Sequence, residues 1–190
     1  MTNYNSKLRY SFPDFDSEAL AGELILFIAE KSLDDPHFGS VKLNKILYAA
    51  DSLSYRLYGE PITGAQYMRL EQGFVFKPML AIIQSLEDRN RCVVVKRKVI
   101  DYDQKRVVAI SEPKIENFKP RDIALVDEII RVNWGKTARE MSQDTHGLIW
   151  KITKNKDIIP YEAMLLSNEG ITEDDIVRAQ ELIEKHGWDV

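Results

Sequence analysis

Apolar residues recur at helical spacing almost from the start of the chain. Leu20, Leu24, Ile25, Phe27 and Ile28 cover more than one stripe of a helix beginning near Ser17, which predicts a position close to the centre of the domain. Asp16 is placed to cap that helix, with Phe15 stapled onto Leu20, and Asp34-Asp35-Pro36 ends it. A second helix follows, in which Leu43, Ile46, Leu47, Ala50 and Leu57 form one buried face while Lys42, Lys45 and Arg56 leave by the other. Gly59, Pro61 and Gly64 then break the helix and turn the chain. Residues 66–72 alternate, with Met68 and Leu70 on one face and Arg69 and Glu71 on the other, as in a half-buried strand.

The second half continues with a helix over 78–89, with Leu80, Ile83 and Leu86 inward. CVVVKRKVI and KRVVAI are strong strand formers on either side of Asp101-Tyr102-Asp103-Gln104 and read as a hairpin. With the strand at 66–72 they predict one small antiparallel sheet. Pro120 suits the first turn of the next helix, and Thr137 with Glu140 forms a capping box for a short helix ending near His146-Gly147. Thr172-Glu173-Asp174-Asp175 opens a last helix, with Ile176, Ala179 and Ile183 on one face and Gly187 as its stop. The expected fold class is α+β, a mainly helical single domain over 1–190 with about six helices and a small antiparallel sheet, residues 1–14 forming a loosely ordered arm.

Composition narrows the classes. The chain has 190 residues, 44% hydrophobic and 29% charged, as in an ordinary globular domain able to bury a core. A net charge of −4 argues against a nucleic-acid binder, which needs a concentrated basic face. Cys92 is the only cysteine, so no disulfide framework forms within one copy, and a reducing cytoplasm fits. The longest apolar run, Leu24 to Ala29, is far short of the roughly 20 residues that span a bilayer, and the N-terminus lacks the apolar core of a signal peptide.

Catalytic signatures are sparse. The sequence holds no phosphate loop, zinc-ligand cluster or nucleophile elbow, and His37, His146 and His186 show no metal-ligand spacing, so no metal or cofactor is expected. Asp144-Thr145-His146 is the one hint of acid–base chemistry, but an Asp two positions before a His points elsewhere on the helical wheel. The plainer reading is a His146 hydrogen-bonded within the fold near Trp150. Glu71-Gln72-Gly73 with Phe74 and Phe76 reads in two ways: an exposed docking loop with aromatic anchors, or aromatics filling the core under the next helix. Lys96-Arg97-Lys98 is the one basic cluster, and reads as a solvated strand edge.

VKLNKILYAADSLSYRLYGEPITGAQYMRLEQG resembles the opening core of the Panacea domain of SocA-like bacterial and phage antitoxins. In that family a K-L-x-K-hydrophobic-L-Y/F helix leads through G-x-P-I/L-T-G to a strand. Residues 121–166 are similar to its second block: Val126, Asp127 and Glu128 on a helix, then Trp134, Gly135, Thr137, Ala138, Glu140, Ser142, Thr145 and His146, then Trp150, then Ile159, Pro160, Tyr161 and Glu162. Leu43, Tyr48, Asp51, Gly59, Pro61, Gly64 and Gly73 are the matching structural positions of the first block. One departure stands out: many members read G-P-V/A-P after the first strand, and here the chain reads Gly73-Phe74-Val75-Phe76-Lys77-Pro78.

The resemblance implies a non-catalytic cytoplasmic antitoxin that neutralises a toxin encoded by a neighbouring gene, usually by direct contact. Some members look like adaptors that deliver the toxin to a AAA+ protease. The expected contact surface comprises Lys42, Lys45, Arg56, Arg69, Glu71, Gln72, Phe74 and Phe76. Two other readings rank behind it. Helix, strand, helix and hairpin between Val41 and Ile110 suggest a winged-helix regulator of its own operon, but Glu87 and Asp88 on the would-be recognition helix suit phosphate contact poorly. An enzyme would need a pocket joining His146 to Asp51, Asp144 or Glu140. Self-association is left open, and no membrane partner is expected.

Overall fold

Residues Ala21 to Ala29 are buried without a break, so the first helix is the spine around which the other elements pack. The computed structural model describes residues 8–12, 16–71, 73–99, 102–145 and 148–166. In chain order the elements are α1 (Ser17–Lys31), α2 (Ser40–Tyr58), β1 (Tyr67–Leu70), β2 (Gly73–Phe76), α3 (Met79–Asp88), β3 (Cys92–Val99), β4 (Tyr102–Ala109), α4 (Pro120–Val132), α5 (Ala138–Thr145), α6 (Leu148–Ile152) and β5 (Ile158–Ile159). Short 3-10 turns cover Ile115–Asn117 and Tyr161–Leu165. This is the expected α+β domain, mostly helical with small antiparallel sheets.

The Asp16 carboxylate caps α1 by accepting the Ala19 N–H at 3.2 Å, as its sequence position predicts. The staple residue Phe15 lies outside the described residues. α1 packs against α2, α3, α4 and β4, which is why its apolar residues cannot be confined to one stripe. Pro120 opens α4, and Thr137 and Glu140 close the capping box of α5: the Thr137 N–H reaches a Glu140 carboxylate oxygen at 2.7 Å, and the Glu140 N–H reaches the Thr137 hydroxyl at 3.2 Å. The expected helix over 172–187 lies outside the described residues.

Three expectations about strands and faces are corrected. The strand at 66–72 does not join the 92–109 hairpin. β1 lies between β2 and β5 in one three-stranded sheet, while among the described residues β3 and β4 pair only with each other. The loop expected after β1 is itself a strand: Tyr67 pairs with Phe76 and Leu70 with Gly73 across a two-residue connection, and aromatic and β-branched residues favour such pairing. In α3 the buried stripe is Met79, Ile82, Ile83 and Leu86, so Leu80 points outward and is 75% exposed. That stripe fits the i, i+3, i+4, i+7 period better than the expected Leu80, Ile83, Leu86 set.

On α2, Leu43, Ile46, Leu47 and Ala50 are buried as expected, but Leu57 at the end of the helix is exposed. Gly59 ends it at φ +72°, a left-handed conformation glycine adopts without strain, and its N–H donates to the Tyr55 carbonyl at 2.8 Å. Residues 8–12 are tied to the core: the Phe12 N–H donates to the Gly64 carbonyl, Arg9 pairs with Glu162, and the Phe12 ring meets Tyr161 edge-on at 4.9 Å.

Candidate functional site

The family-motif residues of α2 and the following turn converge on Asp51, which is fully buried. One carboxylate oxygen accepts the backbone N–H groups of Ile62 (2.9 Å) and Thr63 (2.7 Å); the other accepts the hydroxyls of Thr63 (2.5 Å) and Tyr67 (2.8 Å). The P-I-T-G turn is therefore held by a side chain one helical segment upstream, and not by its glycine and proline alone. Burial pushes the Asp51 carboxyl up, and these four donors act against that shift. Burial and the neighbouring Asp51 push the Tyr67 and Tyr161 hydroxyls up. Tyr161 closes the cluster by donating to the Ala65 carbonyl at 2.7 Å, so Pro160 and Tyr161 from the second motif block meet the first block here. Both carboxylate oxygens of Asp51 are occupied, and His146 lies outside the described residues.

Lys42 and Lys45 were expected on a solvated face, and both are buried. Lys42 is 2% exposed, and its ammonium donates to the Asp35 carboxylate (2.5 Å) and to the carbonyls of Asn133 and Lys136 (2.7 Å each). All three ammonium protons are used, binding the α1–α2 loop and the α4–α5 loop to the start of α2. Such a pair is stable because each charge is fully hydrogen-bonded. Lys45 points the other way, toward Gly73, whose hypothetical Cβ would lie 3.1 Å from its nitrogen, and burial lowers its pKa. Arg56 is exposed, as expected, but sits a dozen residues further along the helix at its other end.

Phe74 and Phe76 were expected to stand at a partner-facing edge. They are 4% and 1% exposed, so they fill the core. Phe74 stacks against Tyr48 and Phe76 lies beside Tyr67. The edge of β2 is closed as well: the buried Asn44 amide donates to the Phe74 carbonyl at 2.6 Å and accepts the Phe76 N–H at 2.7 Å, standing in for a neighbouring strand. Asn44 occupies the variable position of the K-L-x-K motif; its polar side chain on an otherwise buried turn of α2 was the one signal for it.

The remaining motif residues are mostly architectural. Leu43, Tyr48 and Pro61 are buried, Gly64 and Gly73 adopt positive φ, and Trp134 is exposed in the turn after α4. Trp150 belongs to α6, and Gln72 lies outside the described residues. Of the expected contact residues, Arg69 is half-buried and Glu71 exposed. Glu71 lines a groove of about 400 Å³ with Val41, Lys45, Leu70, Val75 and Asn155, and Arg69 does not line it.

The fold and site together define a small α+β domain in which buried Lys42, Asn44 and Asp51 hold loops and a strand edge, with an open, partly apolar groove beside the β1–β2 hairpin. The family model described as antitoxin SocA-like, Panacea domain, matches residues 43–151, more than half of the chain, and the protein belongs to that family. No curated protein and no solved structure matches the chain. Among the described residues no helix is long and apolar enough to cross a membrane, and no group of three or more potential ligands could hold a metal ion.

Proposed function

We propose that this protein is an antitoxin that neutralises a toxin from a neighbouring gene by binding it directly, one to one. The observation that carries the reading is the family match over residues 43–151. The groove between the start of α2 and the β1–β2 hairpin supplies the contact surface. Its apolar lining at Val41, Leu70 and Val75 can accept an anchor side chain, and Glu71 and Lys45 on its walls set orientation and partner choice. Asn44 and Phe74, both buried, support that surface from within.

The test is co-expression with the product of each adjacent gene, scoring growth rescue and then co-purification. The expected result is rescue with a stable complex, weakened at least about tenfold in a Val75→Asp, Glu71→Lys double variant that still folds. Rescue without a complex would replace direct binding by delivery to a protease. Toxicity from no neighbour would remove the antitoxin reading and bring operator binding forward.

A further inference from the structure

A second cavity, also of about 400 Å³, lies where the N-termini of α2 and α5 meet the β3–β4 hairpin, and borders the first at Ser40 and Val41. Four features of it point to a ligand. The N-cap of α2 is Gly39, so no side chain caps the helix, and its first turn carries no acidic residue. The positive end of a 19-residue helix thus faces the cavity unneutralised. Lys105 and Arg139, both exposed, stand on its walls with His37 and Ser40. The nearby acidic groups are already engaged, Asp35 by Lys42 and Glu140 by Thr137.

The fourth feature is independent of the helix. Gln104 lines the same cavity, is 5% exposed, and its buried side-chain oxygen has no hydrogen-bond partner. An orphaned buried acceptor costs stability and is rare unless something fills its place. Gly39 is what lets Gln104 lie there: a Cβ at that position would come within 2.8 Å of the Gln104 side chain and 3.2 Å of the Lys105 carbonyl.

We propose that this cavity binds a small phosphorylated molecule. Its phosphate sits at the α2 N-terminus between Lys105 and Arg139, and a hydroxyl or amino group of the remainder donates to Gln104. The volume falls in the range of small-molecule sites, which favours a compact ligand over a segment of a partner protein. The proposal does not rest on the antitoxin reading: Ser40 and Val41 border both cavities, but Lys105, Arg139 and Gln104, which would hold the ligand, do not line the β1–β2 groove.

The experiment is a thermal and calorimetric titration of the full chain with inorganic phosphate and with adenosine 5′-monophosphate, against chloride at matched ionic strength. Expected is a phosphate-dependent rise in Tm that chloride does not reproduce, with the Lys105→Ala, Arg139→Ala double variant weakened roughly tenfold or more toward both probes. Gln104→Leu should retain phosphate binding and lose affinity only for the nucleotide. No shift beyond that of chloride, or a shift that survives in the double variant, overturns the site. So does loss of toxin co-purification in the double variant with neither probe bound, which would assign the cavity to an acidic segment of the partner.

Discussion

The two ends of α2 treat polar groups in opposite ways. In its C-terminal half, Asp51 is fully buried and accepts four hydrogen bonds, two from backbone N–H groups and two from hydroxyls. At its N-terminus, Gln104 is almost as buried and its oxygen accepts none. A satisfied network specifies one arrangement of the chain, while an orphaned group beside a cavity is stability given up for something else. The contrast separates residues that hold this fold from residues free to serve it, and both kinds lie within one helix and its neighbours.

The sharpest way to break the comparison is at Asp51. Asp51→Ala should cost roughly 3–5 kcal/mol, because buried donors on Ile62, Thr63 and Tyr67 lose their acceptor together. Urea unfolding would read this as a lowered midpoint at unchanged slope. Asp51→Asn keeps one acceptor oxygen and should recover part of the loss. If Asp51→Ala were instead neutral, the cluster would not be what holds the P-I-T-G turn.

Asn44→Leu should have a middle-sized effect, about 2 kcal/mol, since the Phe74 carbonyl and Phe76 N–H are left without their partner at the β2 edge. Hydrogen exchange at Phe76 should rise more than at Tyr67, which keeps its partners on both sides. Equal rises would mean that the sheet opens as one unit.

Gln104→Leu sits at the other extreme. Removing an amide whose buried oxygen has no partner, while keeping its bulk, should change stability by less than about 1 kcal/mol, in either direction. A loss as large as that of Asn44→Leu would show that Gln104 packs as a structural residue, and the contrast between the two ends of α2 would dissolve.

Periodicity made much of the scaffold legible. Ser17, Pro120 and Thr137 open their helices where capping and proline rules place them, and Gly59 closes α2 for the same local reason. These signals depend on residues within four positions of each other, so a linear pattern contains them. The candidate surface was less legible. Lys42 and Lys45 look like the polar face of an amphipathic helix, but α2 is covered on two sides, by the α4–α5 loop and by β2. Phe74 and Phe76 left two readings open because a strand edge and a core strand share the same alternating text.

What the sequence determined by itself is the fold class, the family, most helix boundaries and the hairpin of β3 and β4, because each follows from local propensity or from motif text. What the tertiary structure decided is which polar residues are spent and which remain. Asp35 and Lys42 meet within one loop's reach, yet only packing against Asn133 and Lys136, some ninety positions away, makes that pair complete. β5 joins β1 from a similar distance, and Gln104 reaches Gly39 only because the hairpin folds back over α2. Burial and hydrogen-bond satisfaction are properties of the whole assembly, and no stretch of the chain carries them alone.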